Sequence, residues 1–207
     1  MDFYIIDRPQ TIRFPEAADH AVIRDILNNY TPGLPWNAVY DREDLIVSVG
    51  DAVPPSMAEG DEYAFSIGVN GFAIAGRDYP ALMRGFLTMI DKIDCFDKLV
   101  YKAPCCEEHG KPAVGFRCVH LCVFPETSMT FLEKCVRTAA VARYTHVILE
   151  FWGTVKLDAL PQMAWPFAFP KERIRELIAR GRALGLEFIP MLQHLAILSP
   201  ARLSIRC

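Results

Sequence analysis

The second half of the chain repeats one pattern, in which an apolar strand-like run is followed by an amphipathic helix. Three near-continuous apolar runs predict buried strands, at residues 117–124, 146–151 and 186–192. Apolar residues recur at helical spacing over 128–139 and 170–184, and Gly185 stands at the C′ position of the second helix. Buried strands that alternate with helices are typical of parallel βαβ units, whose sheet is covered on both faces. Three strands are too few for a closed (β/α)8 barrel, so the pattern allows either a small open α/β sheet or an incomplete barrel.

The first half predicts a smaller α+β arrangement. Large apolar residues alternate over 63–69 and 72–74, and Asn70-Gly71 between them predicts a hairpin with a two-residue type I′ turn. Asp78 is suited to cap the helix that follows, with Pro80 in its first turn. Other elements are predicted as a helix from Pro15 and as strands at 4–6, 11–14, 45–49 and 99–101.

A linker is predicted between the two halves. Residues 103–112 contain two prolines and a glycine, a composition typical of connecting segments. We therefore predict an α+β domain at residues 1–111 and an α/β domain at residues 112–207.

Charge and hydropathy exclude two classes of partner. The 207-residue chain has a net charge of −3, so it has no basic field for nucleic acid or for an anionic membrane. Its mean hydropathy is +0.16, yet no apolar run approaches the roughly 18–20 residues of a membrane span. The cysteine count of seven is odd, and Cys118, Cys122 and Cys135 lie in apolar patterns, which together with the lack of a signal-like N-terminus favours free thiols and a cytoplasmic location.

From about Pro112 onward, the order of elements resembles the start of the catalytic barrel of family-20 glycoside hydrolases, the β-N-acetylhexosaminidases. The resemblance is carried by residues 115–117, 144–152, 169–178 and 185–190, the last reading Gly-Leu-Glu-Phe-Ile-Pro. Earlier in the chain, the hairpin, Gly76-Arg77-Asp78 and the helix after it resemble the small α+β domain that precedes this barrel. The resemblance implies an α+β domain followed by the first three βα units of an incomplete TIM barrel.

Three departures from the family pattern mark a divergent branch. Cys122-Val123-Phe124-Pro125 stands where the family carries an arginine that holds sugar hydroxyls. Glu150-Phe151-Trp152 replaces a His-x-x-x-Asp type run, and Ala196-Ile197 replaces a Gly-His pair. The identity of the sugar therefore does not transfer from the family to this chain.

The sugar contacts are expected at the carboxyl ends of the strands, because the βα loops of a barrel converge there. The candidates are Glu150, Trp152, Gln193 and His194. Three of them have a structural alternative: an ion pair for Glu150, a covering role for Trp152 and a core position for His194. Trp165, in the long loop after the second strand, is expected to anchor that loop.

The resemblance implies substrate-assisted hydrolysis of terminal N-acetylhexosamine, in which an Asp-Glu pair follows the fourth barrel strand. That strand would lie beyond residue 207, so this chain is expected to be an inactive N-terminal fragment with no catalytic residue of its own. Two acidic pairs, Asp61-Glu62 and Glu107-Glu108, lie outside a barrel context and are predicted to be solvated turns. No cofactor is expected.

Two other functions fit the residues. The chain could be a non-catalytic carbohydrate-binding or scaffold module, or a small α/β protein with a metal or redox role at Cys105, Cys106 and His109. The metal role lacks the second ligand pair at suitable spacing that a zinc site needs, so we assign no metal ligands from sequence. The open strand edges of an incomplete barrel also predict self-association.

Overall fold

The computed structural model describes residues 2–97, 100–159 and 161–192. These residues form two compact units: the first runs to Gly115 and includes Ala183–Gly185, and the second comprises Phe116–Arg182 and the residues from Leu186. Among the helices in the described ranges, none combines the length and apolarity that a membrane crossing requires.

The first unit contains a six-stranded sheet and a three-stranded sheet. Its strands are β1 (Phe3–Ile6), β2 (Gln10–Pro15), β3 (Trp36–Arg42), β4 (Ile46–Val49), β5 (Tyr63–Gly68), β6 (Gly71–Gly76), β7 (Asp94–Asp97), β8 (Val100–Pro104) and β9 (Cys106–Gly110), and its helices are α1 (His20–Tyr30) and α2 (Tyr79–Ile90). The larger sheet has the order β3-β2-β4-β6-β5-β9, in which β2 and β3 run parallel and the other neighbours antiparallel. The smaller sheet is antiparallel, in the order β1-β8-β7.

Helix α2 packs against β4, β5 and β6 of the six-stranded sheet. Asp78 caps it as predicted, since the carboxylate accepts a hydrogen bond from the backbone N–H of Ala81 at 2.8 Å. The helix is buried on all sides and not only along one apolar stripe, because every residue from Ala81 to Ile90 is buried. The Phe86 ring meets the Phe14 ring edge to face, with centroids 5.3 Å apart.

The predicted hairpin is confirmed, but its turn is not of type I′. Gly68 pairs with Gly71, so the two loop residues are Val69 and Asn70. A type I′ turn needs φ > 0 at both central residues, and Arg143 is the one non-glycine residue with positive φ in the described ranges. Gly71 belongs to the strand because it lies against the backbone of β4, where an added Cβ would be 2.1 Å from the carbonyl oxygen of Val49.

The linker prediction for residues 103–112 is wrong, because this segment extends both sheets. β8 ends at Pro104, and β9 forms the edge of the six-stranded sheet beside β5, with Tyr63 opposite Gly110. An added Cβ at Gly110 would lie 2.4 Å from the Tyr63 ring. The prolines and the glycine therefore mark the ends of strands and a close packing contact.

The predicted helix start at Pro15 is also wrong. Pro15 ends β2, and α1 begins at His20, where the Asp19 carboxylate accepts from the backbone N–H of Val22 at 2.9 Å. The helix begins after Asp19 and not at Pro15, because the Asp19 carboxylate accepts a hydrogen bond from one of the free N–H groups of the first turn.

The second unit alternates strands and helices: β10 (Cys118–Val123), α3 (Met129–Val141), β11 (His146–Phe151), a 3₁₀ turn (Pro161–Met163), α4 (Lys171–Ala183) and β12 (Glu187–Leu192). The strands form a parallel sheet in the order β10-β11-β12, without a register shift. This confirms the parallel βαβ units.

One face of this sheet is covered by the helices. Val147, Leu149 and Phe151 are buried on it. An added Cβ on Gly181 of α4 would lie 2.3 Å from the Phe188 ring of β12 and 3.1 Å from Val136 of α3. The glycine thus allows both helices to pack closely on this side of the sheet.

The opposite face of the sheet is partly open. It carries His120 and Cys122 on β10, Ile148 and Glu150 on β11, and Ile189 and Met191 on β12. Ile189 and Met191 are 39% and 38% exposed, so the expected cover on both faces is not complete within the described residues.

A candidate site at the carboxyl ends of two parallel strands

Three polar side chains meet on the open face, near the carboxyl ends of β10 and β11. His120 and Cys122 point to the same side because they are two residues apart in a strand, and Glu150 is the register partner of Cys122. His120 Nε2 lies 2.9 Å from Glu150 Oε2, and Cys122 Sγ donates to the same oxygen at 3.0 Å. His120 Nε2 and Cys122 Sγ are 3.8 Å apart.

Burial differs sharply within this His120–Cys122–Glu150 group. The Glu150 side chain is 5% exposed and the His120 side chain is 44% exposed. A buried carboxylate is costly unless it is paired, and here the imidazole and the thiol pair it. The hydrogen bond to Glu150, together with burial, raises the pKa of the Cys122 thiol, so this thiol is protonated at neutral pH.

Aromatic side chains gather beyond the strand ends. The Trp152 ring lies 5.6 Å from the Phe124 ring, and the Trp165 and Phe167 rings are stacked at 5.8 Å. The Trp152 indole N–H is buried and has no hydrogen-bond partner in the part of the chain that the structure describes. Phe124 and Phe167 are 45% and 54% exposed. The strand ends thus combine polar groups with apolar rings, as ligand sites commonly do.

The loop after β11 is tied back on itself. The Trp165 indole N–H donates to the Trp152 carbonyl oxygen at 2.8 Å, and the Trp165 backbone N–H donates to the Gly153 carbonyl oxygen, also at 2.8 Å. Val155 and Phe169 form an isolated bridge at the base of the loop. The anchoring role expected for Trp165 is therefore confirmed.

The four sequence-predicted contacts are only partly described. The structure brings Glu150 and Trp152 to the same end of β11, and Glu150 has the pairing that the structural alternative expected. Gln193 and His194 lie outside the described residues. His120 and Cys122 were missed; their His-x-Cys spacing indicates only that both side chains lie on one face of a strand, and the contact with Glu150 depends on the register between β10 and β11.

The acidic pairs predicted as solvated turns are instead structured, and Asp61 and Glu62 are buried. Glu62 forms a buried ion pair with Arg84 of α2, with 3.0 Å between Oε2 and Nε. His109 Nδ1 lies 2.7 Å from Asp61 Oδ2, and His109 Nε2 lies 3.2 Å from Glu107 Oε1. Asp61 and then Glu107 raise the pKa of His109, and the His109 hydrogen bond lowers the pKa of Asp61.

The structure does not assemble Cys105, Cys106 and His109 as a metal or redox site. Cys106 and His109 are an odd number of residues apart in β9, so their side chains point to opposite faces. His109 is engaged with Asp61 and Glu107. Within the described ranges, the His120–Cys122–Glu150 group is the one cluster whose donor atoms are close enough to share a metal ion.

Comparison with known proteins identifies the fold. No protein-family model matches the chain, and no curated protein matches it in sequence. Among solved structures, it is similar to the GH20 exo-β-N-acetylglucosaminidase of Vibrio harveyi in complex with N-acetylglucosamine, with a TM-score of 0.71 and 14% identity over 92% of this chain and 34% of that one. It is also similar to the GH20 β-N-acetylhexosaminidase of Streptomyces coelicolor A3(2), with a TM-score of 0.69 and 15% identity over 91% of this chain and 42% of that one.

A third similar structure is a mutant β-hexosaminidase of Streptomyces plicatus in complex with its product GlcNAc, with a TM-score of 0.68 and 17% identity over 91% of this chain and 42% of that one. The chain thus shares the fold of part of the GH20 β-N-acetylhexosaminidases, at 14–17% sequence identity. It spans between about a third and two fifths of their length.

Proposed function

We propose that this chain is the N-terminal portion of a divergent GH20-like glycosidase, in which its second unit supplies the first three βα units of a TIM barrel. In the whole protein, the reaction is substrate-assisted hydrolysis of terminal N-acetylhexosamine residues. The observation that carries the proposal is the structural match over 92% of the chain to an enzyme bound to N-acetylglucosamine.

The sugar contacts in this proposal come from the carboxyl end of β11 and from the segment after β12. Trp152 offers an apolar ring for the face of a sugar, and Glu150 offers a carboxylate for its hydroxyl groups. Gln193 and His194 are proposed to extend the same contact. The position of Glu150 and Trp152 at the end of a parallel strand supports this assignment, because barrel sites form there.

The isolated chain is proposed to bind sugar without cleaving it. Asp61 and Glu62 are committed to other contacts, Asp61 to His109 and Glu62 to Arg84. Glu107 and Glu108 point to opposite faces of β9, so they cannot act side by side on one bond. These contacts favour a general acid supplied from elsewhere in the whole protein.

Sugar binding and hydrolysis test the proposal separately. Ligand-observed NMR with N-acetylglucosamine is expected to show saturable binding to the 207-residue chain, and W152A is expected to weaken it about tenfold or more, or roughly 1.4 kcal/mol. F131A is the matched control, because Phe131 is an exposed ring on α3 in the same unit. Equal binding by W152A and wild type would refute the assigned contact.

Hydrolysis of nitrophenyl N-acetylhexosaminides separates a fragment from a complete enzyme. No turnover is expected from the chain alone, whereas a longer parent protein with an Asp-Glu pair after a fourth strand should cleave these substrates. Turnover by the 207-residue chain would contradict its assignment as an inactive portion. Sugar binding by a parent protein that lacks both the pair and activity would favour the non-catalytic carbohydrate-binding module.

Self-association is a further part of the proposal. β10 and β12 are the outer strands of the parallel sheet in the described part of the chain, and unpaired strand edges promote contacts between chains. Light scattering after gel filtration should detect a dimer or larger species. A strictly monomeric chain at high concentration would contradict this expectation.

A further inference from the structure

The His120–Cys122–Glu150 group combines three different metal-binding atoms. An imidazole nitrogen, a thiol sulfur and a carboxylate oxygen converge from two neighbouring strands, each within 4.8 Å of the others. Divalent zinc accepts all three donor types, whereas Mg²⁺ and Ca²⁺ select oxygen ligands. The mixture of nitrogen, sulfur and oxygen therefore points to a borderline divalent cation.

The spacing of the donor atoms is close to that of a tetrahedral site. Zinc bonds of about 2.0–2.3 Å place neighbouring tetrahedral donors about 3.3–3.7 Å apart. Here the three separations are 2.9 Å for nitrogen to oxygen, 3.0 Å for sulfur to oxygen and 3.8 Å for nitrogen to sulfur. The separations have to change by roughly 0.2 to 0.6 Å to meet this geometry, which is within the reach of side-chain torsions.

The backbone fixes these donors before any ion arrives. Cys122 and Glu150 are direct register partners in a parallel pair, and His120 follows from the two-residue period of β10. The buried Glu150 side chain is held in place by its surroundings. The imidazole of His120 is half exposed, so an ion can reach the group from solvent. A preformed donor set needs little reorganisation to bind a metal.

We propose that His120, Cys122 and Glu150 form a binding site for one Zn²⁺ ion. Neutral His120 donates through Nε2, Glu150 through its carboxylate, and Cys122 through Sγ as its thiol proton is released to solvent. The thiolate and the carboxylate balance the two positive charges of the ion. Three protein ligands leave the fourth tetrahedral position for water, as in zinc sites that do chemistry. The site shares Glu150 with the proposed sugar contacts, but the metal proposal does not rest on the sugar function.

Cobalt substitution is the direct test. The purified 207-residue chain, freed of metal with a chelator and kept reduced, is titrated with Co²⁺, and Zn²⁺ is then added in competition. We expect one Co²⁺ per chain, tetrahedral ligand-field bands, and a thiolate-to-cobalt charge-transfer absorption that Zn²⁺ abolishes. Absence of stoichiometric Co²⁺ binding would overturn the proposal and leave the group as a hydrogen-bonded cluster.

Matched variants assign the signal to these residues. C122S should abolish the charge-transfer band, and H120N and E150Q should each weaken Co²⁺ binding by about tenfold or more. C118S is the control, because Cys118 lies on the same face of β10 but outside the group. Circular dichroism verifies that each variant is folded. A band that survives C122S, or that C118S removes, would overturn the assignment.

X-ray absorption of the zinc-loaded chain tests the ligand set without any mutation. One sulfur and nitrogen or oxygen donors in the first shell would support the site. A shell with two or more sulfur ligands, or with none, would refute it.

Discussion

The buried ion pair between Glu62 and Arg84 should be the most sensitive electrostatic contact of the first unit. Their side chains are 8% and 5% exposed, and Glu62 Oε2 lies 3.0 Å from Arg84 Nε. The change E62Q keeps the size of the side chain but removes the charge that faces the guanidinium. A buried arginine then remains without this carboxylate, in surroundings where water cannot replace it.

The expected loss follows from desolvation. Removing one partner of a buried pair costs about 3–5 kcal/mol, because the remaining charge stays buried. Replacing both partners with apolar residues of similar volume, as in E62L/R84M, should recover most of this loss, since neither charge is then desolvated. The exposed pair of Arg173 and Glu176 on α4 is the control: its side chains are 51% and 56% exposed, so E176Q should cost about 0.5 kcal/mol or less.

Hydrogen exchange of the α2 amides is the appropriate assay, because this helix carries Arg84 and is buried from Ala81 to Ile90. A loss of 3–5 kcal/mol corresponds to exchange that is faster by about two to three and a half powers of ten. The reasoning is refuted if E62Q accelerates exchange less than tenfold, or if E62L/R84M exchanges as fast as E62Q. The E176Q control should leave α2 exchange unchanged.

Three further predictions concern the first unit. F86A should destabilise it by about 3–5 kcal/mol, because the fully buried ring leaves a cavity, as urea unfolding can measure. G71A should prevent correct pairing of β6 with β4, since its Cβ would lie 2.1 Å from the Val49 carbonyl oxygen, and the loss of the wild-type NMR amide pattern would report this. The raised pKa of His109, due mainly to Asp61, means that its stabilising charge is present below its unfolded pKa of about 6.5 and is lost as the pH rises through its folded pKa. The melting temperature of the wild type should therefore fall as the pH rises above about 6.5, while that of H109Q stays nearly constant, and parallel curves would contradict the assignment.

Local sequence patterns predicted several elements of the fold, but they did not predict the edge strands of the six-stranded sheet. The cap at Asp78 and the parallel units of the second half depend on residues close in sequence, and both are present. β3 was missed and β9 was taken for a linker. Both are edge strands of the six-stranded sheet. An edge strand needs little apolar pattern, because its backbone is held by one neighbour that lies far away in sequence.

The candidate site, too, was predicted only where local sequence was sufficient. Glu150 and Trp152 were identified because they lie at the end of β11, and this requires only that the strand be located in the sequence. The pairing of Glu150 with Cys122 depends on the register between β10 and β11, and a shift of one residue would turn the thiol to the other face. Register is set by packing across the whole sheet, so the sequence of either strand alone could not reveal this contact.

Glu150 belongs to both the proposed sugar site and the proposed zinc site, and variants of Trp152 and Cys122 can distinguish the two sites. Trp152 follows β11 and is outside the metal group, whereas Cys122 belongs to that group and is not among the proposed sugar contacts. W152A should therefore weaken sugar binding and leave the cobalt absorption intact, while C122S should do the reverse. E150Q should impair both, because the same carboxylate serves each ligand. If C122S weakened sugar binding as strongly as E150Q does, the metal and the sugar would be parts of a single site, because losing the ion would then remove a group that the sugar needs.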